Sequence, residues 1–200
     1  MASTFGLIVV AALIAFATRV VWMRRHRVSK PVGAPRVDFG QLHAAAAATA
    51  LVIAAAIGIA LLLRPASPAM LRAAAAYGVF GLVGFLAQMV VAMEARLLPM
   101  VTWFWAYARS DYRVAPPSPH VMRDRSLQAI VFSAWTLGVP LLAAGMFLES
   151  ARLVAAGAWV LFIGVSIGTL DNAFVVAHSV RRDVSHVPGA AHVTVLRGPS

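Results

Sequence analysis

The sequence predicts an all-α integral membrane protein, a helical bundle of about five transmembrane helices with an additional interfacial aromatic segment. Hydrophobic residues make up 61% of the chain and charged residues only 12%, whereas soluble domains are about half apolar and a quarter charged. The apolar residues fall in runs near the roughly 20 residues that a helix needs to cross a bilayer. The basic residues lie in short polar segments between these runs, which is typical of a multi-pass protein.

Five apolar runs predict the helices, which cover about 5–23, 42–63, 70–93, 126–148 and 153–180. They form one transmembrane domain over 1–180, followed by a polar tail at 181–200. In the first run the positive charges come after the apolar residues, at Arg24, Arg25 and Arg27. This order predicts an uncleaved membrane anchor, because a signal peptide carries its charge before the apolar region.

The third apolar stretch continues from about Met70 to Tyr107, which is too long for one straight crossing. Pro99 predicts a break in this helix, because proline lacks the N–H that the helical hydrogen bond needs. After the break, 97–107 is expected to be interfacial or re-entrant, since Trp103 and Trp105 are residues that settle at the lipid head groups.

The distribution of basic residues predicts the orientation. With the N-terminus outside, only Arg64, Arg72 and Arg152 of the 17 basic residues lie on the outer side, against fourteen on the cytoplasmic side. Such an excess is the usual sign of cytoplasmic loops, and it favours five crossings with the C-terminus inside. The dominance of Arg over Lys and the many alanines indicate a GC-rich bacterial genome, and hence the bacterial cytoplasmic (inner) membrane.

Several polar side chains lie within or at the ends of the apolar runs, where they are costly and call for an explanation. The topology gathers most of them toward the cytoplasmic face. They are His43, Gln88, Glu94, Arg96, Asp171, Asn172 and His178. One interpretation is a buried polar site, open to the cytoplasm, that serves protons, a metal or a haem. The other is structural, with the carboxylates paired to Arg96 or another basic residue and the histidines in the wet interface.

A haem is the cofactor that these residues suggest, because His43 and His178 lie near one membrane face and bis-histidine ligation needs two such residues. No histidine pair has the spacing of a metal motif, and there is no cysteine. Motifs for hydrolysis, nucleotide binding or a covalent nucleophile are also absent from the sequence. We therefore expect no catalytic residues and no dedicated metal site, and lean towards a non-enzymatic protein.

The expected partners are the lipid bilayer and either a membrane-protein partner or a second copy of this chain. Gly164 and Gly168 form a GxxxG pair, a pattern that lets helix backbones approach, within one chain or between two. No basic stretch is interleaved with aromatic residues as in proteins that stack bases, so nucleic acid is not expected.

A segment of the third helix and its continuation reads GFLAQMVVAMEARLLPMVTWFWAY, and a basic, proline-rich loop and two further helices follow it. This order, with Arg96-Leu97-Leu98-Pro99 before the aromatic residues, resembles the C-terminal part of bacterial membrane proteins related to haem-copper oxidase subunit I and to the NnrS family. The resemblance covers about residues 40–180. It implies haem and copper bound by several intramembrane histidines, but none of the histidines here matches a ligand position, so no ligand residue is carried over.

Three functions stay open at this level. The leading one is an accessory, non-enzymatic protein of haem-copper-oxidase or NnrS-like type, which predicts a co-purifying partner. The first alternative is a small haem- or metal-binding redox protein, which needs a chromophore. The second is a proton or small-solute transporter, which needs Glu94 or Asp171 to face a water-filled cavity.

Overall fold

The protein is all-α, as predicted: in the computed structural model, which describes residues 2–26, 38–109 and 122–181, every regular element is helical. The α-helices are α1 (Ala2–Arg25), α2 (Phe39–Leu63), α3 (Pro68–Gly78), α4 (Gln88–Arg109), α5 (Arg125–Phe147) and α6 (Ala151–Arg181). A π-helical segment, Val79–Ala87, joins α3 to α4 without interruption. Of the predicted polar tail, 181–200, only Arg181 is described, and it ends α6.

Helix α1 belongs to a compact unit of its own, residues 1–36. Its described side chains include exposed apolar residues such as Phe16 and Trp22. Polar groups of α1 find local partners: Thr18 Oγ1 donates to the Ile14 carbonyl at 2.7 Å, and the Trp22 and His26 rings lie 4.6 Å apart. The unit is thus an apolar helix whose last turns carry aromatic and basic groups.

The second unit, residues 37–200, contains four helices long and apolar enough to cross a membrane. They are Phe39–Leu63, Pro68–Ala108, Arg125–Phe147 and Ala151–Ala177. Large apolar side chains cover their outer faces, and Val52, Leu63 and Leu71 are each more than two-thirds exposed. A surface of this kind suits lipid and would be an aggregation liability in water. The chain is therefore a multi-pass membrane protein in contact with the bilayer.

The predicted break at Pro99 is wrong, because α4 continues through this residue to Arg109. Proline removes one helical hydrogen bond, but membrane helices tolerate it where neighbouring groups satisfy the local carbonyls. The one carbonyl that loses its helical donor is that of Ala95, four residues before Pro99, and the helix continues on both sides of this position. At 1.5 Å per residue the span Pro68–Ala108 is about 60 Å long, twice the hydrocarbon thickness. The interfacial location of its aromatic end stays a prediction.

The π-helical segment changes which residues of this long helix face the interior. Ala76 and Gly84 are both buried, although residues eight apart diverge by about 80° in a regular α-helix. The wider π turn offsets this divergence and keeps both residues on the inner face. A Cβ at Gly84 would lie 2.8 Å from the Ala50 Cβ of α2, so this phase lets the two helices touch.

Small residues dominate the interior of the second unit. Helix α2 buries Ala47, Ala50 and Ala54, and the most extensive contact, between α5 and α6, has glycines on both sides. A Cβ added to Gly157 would lie 2.6 Å from the Leu142 backbone nitrogen. Because lipid tails are as apolar as the side chains, close van der Waals packing of this sort holds membrane helices together.

Two aspartates define one end of the bundle, which we call the polar end. Asp38 begins α2 by accepting a hydrogen bond from the Gln41 N–H at 3.1 Å. Asp124 begins α5 by accepting from Ser126 and Leu127 N–H groups at 2.7 and 3.1 Å. Such caps satisfy amides that have no partner inside the helix. At the opposite end, the turn from α5 to α6 places Glu149 at a φ of 54°.

Candidate functional site

Arg123 connects three helices at the polar end. It precedes α5, and its Nη1 lies 3.4 Å from Asp171 Oδ2 on α6. Its Nη2 donates to Asn172 Oδ1 on the same helix and approaches the Glu94 carbonyl on α4. Both members of the ion pair are buried, with side chains 10% and 7% exposed. A buried guanidinium of this kind ties α4, α5 and α6 together through charge-assisted hydrogen bonds.

Glu94 is an exposed member of this group. Its Oε2 accepts a hydrogen bond from Asn172 Nδ2 at 3.2 Å, so Asn172 bridges Glu94 and Arg123. Glu94 is exposed, whereas Asp171 is only 5% exposed. The two carboxylates thus lie at different depths beside one guanidinium.

His43 and Gln88 form a second, deeper pair. His43 is 2% exposed and Gln88 is 3% exposed, and Gln88 Nε2 lies 3.5 Å from His43 Nδ1. The His43 ring also meets the Phe132 ring edge-on at 5.2 Å. Gln88 and Phe132 thus connect α4 and α5 to His43 of α2. His43 lies in the interior of the bundle and not in a wet interface.

Arg96 is bound elsewhere at the polar end. Its Nη2 lies 2.7 Å from Asp38 Oδ2, at the start of α2. Burial would raise the pKa of the Asp38 carboxyl, but the hydrogen bond and charge of Arg96 and the Gln41 amide outweigh it, so this pKa is lowered. Arg96 therefore anchors α4 to α2, and Arg123 supplies the charge that faces Asp171.

A cavity of about 80 Å³ lies within this group of residues. Its polar lining includes His43, Glu94, Arg123, Trp135 and Asp171. Gly164 and Gly168 form part of the α6 wall. Since one water needs about 10–15 Å³ of such space, the volume suits several waters and is small beside the roughly 300 Å³ of typical ligand pockets.

Burial and charge act in opposite directions at the centre of the site. Burial lowers the pKa of the Arg123 guanidinium, while the charges of Asp171 and Glu94 raise it, and the net shift is downward. An arginine still stays protonated under ordinary conditions. No group of three histidines or carboxylates within the described ranges could hold a metal ion. The arrangement can bind water and exchange protons between its carboxylates.

Two residues of this site, Arg123 and Trp135, are missing from the sequence prediction. In the sequence Arg123 lies in a polar, proline-rich segment and Trp135 within the fourth apolar run, and neither pattern indicates a site. The structural interpretation allows a basic partner other than Arg96, and Arg123 is that partner for Asp171. Arg123 and Trp135 are recognisable only through contacts between helices, although an Arg-Asp pair just before a predicted membrane helix is a usable sign of a charge near the helix start.

His178 belongs to α6, but its side chain is outside the described part of the structure. The predicted ligation of a haem by His43 and His178 therefore stays a prediction. The relationship to haem-copper oxidase subunit I and NnrS proteins also stays a prediction. Comparison of the chain with family models, curated proteins and solved structures finds no match.

Proposed function

We propose that this protein is a multi-pass membrane protein that takes up and transfers protons through the site formed by Glu94, Arg123 and Asp171. The observation that carries the proposal is that two carboxylates at different depths share one guanidinium beside a water-sized cavity. Ionisable groups inside a membrane are costly, and those that line a water-filled cavity commonly mark a proton or ion path.

The charges of the site support proton binding over binding of a larger ion. With Glu94 and Asp171 ionised, the pair carries one more negative charge than Arg123 neutralises, and binding of one proton removes this excess. Asp124 adds a further carboxylate near Asp171. The backbone N–H of Asp124 also donates a hydrogen bond to the Asp171 carboxylate. The neighbouring His43 is bonded to Gln88, which supports a role in holding the deeper end of the site.

The proposed path starts at Glu94, because this carboxylate is exposed, and ends at Asp171, because this one is buried. Asn172 and Arg123 bridge the two. Water in the cavity relays the proton between the carboxylates, while Arg123 compensates whichever carboxylate is ionised. With the predicted orientation in a bacterial inner membrane, Glu94 takes its proton from the cytoplasm.

The test is proton flux into proteoliposomes that contain a pH-sensitive dye, driven by a potassium diffusion potential with valinomycin. The intact protein is expected to raise the flux above that of protein-free liposomes. Glu94→Gln and Asp171→Asn should abolish the increase, since each amide keeps the shape but cannot exchange a proton.

Glu149→Gln is the matched control, because Glu149 is an exposed carboxylate at the opposite end of the bundle, paired with Arg72 at 3.4 Å. It should leave the flux unchanged. Flux no higher than in protein-free liposomes, or flux that survives in both Glu94→Gln and Asp171→Asn, would overturn the proposal.

The accessory role suggested by the sequence is compatible with this site, because a proton-transferring subunit can act beside a larger partner. Ligation of a haem by His43 and His178 is less well supported, since the space beside His43 is that of a few waters and Gln88 already contacts its ring. A reduced-minus-oxidised absorption spectrum of the purified protein, compared with His43→Ala, tests it directly.

A further inference from the structure

Trp135 and Arg123 both line the cavity. Each carries a buried hydrogen-bond donor, Trp135 Nε1 and Arg123 Nε, that has no acceptor within the described residues. Trp135 is 5% exposed, so any water bonded to its indole N–H has to lie inside the cavity. A buried donor left without an acceptor loses its hydrogen bonds to water and destabilises the fold. The cavity therefore needs an occupant that offers lone pairs to both donors.

The charges of the lining decide the chemistry of this occupant. Glu94 and Asp171 also line the cavity, so the lining carries two negative charges against the one positive charge of Arg123. An anion is disfavoured there, because it would add to the excess. Water accepts from the two orphan donors, donates to the carboxylates and fits the volume, which holds several molecules.

The position of Trp135 along α5 shows how far into the bundle the cavity reaches. Trp135 lies ten residues into α5, which is about 15 Å along the helix from Arg125. That is about half of the hydrocarbon thickness. Beyond Trp135 the interior is apolar and tightly packed: Val139 and Leu161 are buried, and a Cβ on Gly138 would lie 2.6 Å from Leu161 Cγ.

We propose that the cavity is a hydrated half-channel, in which a cluster of waters bonded to Arg123 Nε and Trp135 Nε1 extends from the polar end to the middle of the bundle and stops at the Val139–Leu161 packing. The inference rests on the proposed proton function and deepens it. The structure then corresponds to a state that is open at the polar end and closed toward the other end, with Asp171 as the deepest carboxylate in reach of water.

Gly168 offers a place from which a side chain can fill this space, because a Cβ there would not clash. A Cβ there would lie 3.7 Å from Val131 Cγ1, an ordinary contact. A Cβ added to Gly164, by contrast, would lie 2.7 Å from the Ala134 Cβ and clash with it. Gly168→Leu therefore displaces water, and Gly168→Ala is a milder variant should leucine impair folding. Gly78→Leu is the matched control, because a Cβ at Gly78 meets nothing within 4 Å.

The experiment is an NMR measurement of water contact on the protein in nanodiscs, with tryptophan labelled by ¹⁵N at the indole nitrogen. Of the five indole signals, Trp135→Phe identifies the one from Trp135. The expected result is a water cross-peak to the Trp135 indole proton, lost in Gly168→Leu, weakened in Gly168→Ala and kept in Gly78→Leu.

No water contact at Trp135 in the intact protein would overturn the half-channel, as would a contact that persists in folded Gly168→Leu. The liposome assay separates this outcome from failure of the proton function. A hydrated Trp135 in a protein without proton flux supports the half-channel alone, whereas carboxylate-dependent flux with a dry Trp135 supports the proton function alone.

Discussion

The contact between α5 and α6 and the polar end of the same two helices are built in opposite ways. Along the contact, glycines let the backbones touch: a Cβ on Gly145 would lie 2.5 Å from the Val154 nitrogen. At the polar end polar side chains line a cavity, and Arg123, just before α5, pairs with Asp171 of α6 in its lining.

The two regions of this bundle contribute differently to its stability. Glycine contacts gain dispersion energy from close approach and leave no room for water. A buried ion pair costs desolvation and gives little net stability. Its presence at one end, next to a water-sized space, therefore points to a role beyond holding the helices together.

The largest effect is expected from removing the charge at the polar end. Arg123→Gln leaves Asp171 buried without a counter-ion, which costs about 3–5 kcal/mol. In the Asp171→Asn background the same change should cost much less, because no buried charge is then left unpaired. Thermal unfolding in detergent of the four proteins of this cycle measures the coupling.

Arg125→Gln is the control for this cycle, because Arg125 is exposed two residues further along and should change stability little. Equal losses from Arg123→Gln in both backgrounds would mean that the pair is not coupled, and that the polar end is held by packing like the rest of the bundle.

A smaller loss is expected in the glycine contact. Gly145→Ala drives a methyl group into the backbone of Val154 and Leu153, and overpacking of this kind costs about 1–3 kcal/mol. Gly78→Ala should be neutral or stabilise by up to about 1 kcal/mol, because its Cβ meets open space and alanine favours the helix. A stability of Gly145→Ala equal to that of Gly78→Ala would contradict the close contact.

The smallest effect concerns Asp38, which caps α2 and pairs with Arg96. Its pKa is lowered below the ordinary 3.8, so its stabilising contribution is present above that pH and is lost as the pH falls through the lowered pKa. Asp38→Asn keeps a capping side chain but removes the charge, and the exposed pair is worth up to about 1 kcal/mol. The unfolding temperature of the intact protein should therefore exceed that of Asp38→Asn at pH 6, and the difference should shrink as the pH falls below 3.8.

A pH-independent difference between these two proteins would show that the carboxylate charge of Asp38 contributes nothing to stability. Arg72, which pairs with Glu149 at the other end, provides the matched exposed pair. Glu149→Gln should change the unfolding temperature by a similarly small amount.

Much of the fold follows from local sequence patterns. The apolar runs between polar segments predict the membrane helices, since each run is at least about as long as a bilayer crossing requires. Asp124 before α5 and Ser67 before α3 are residues that cap helices in any context, and both do so here. The continuation of α4 through Pro99 differs from the prediction, because a proline removes only one helical hydrogen bond and packing against other helices can keep the helix continuous.

The sequence by itself determined that the protein consists of apolar helices and which carboxylates, histidines and amides lie within or at the ends of the apolar runs. Only the tertiary structure decided which of these groups meet. Glu94 and Asn172 are bonded although they lie 78 residues apart, and Arg96 pairs with Asp38 over 58 residues. The physical reason is that periodicity and composition determine the face of one helix, whereas an ion pair or a cavity depends on how several helices pack against each other.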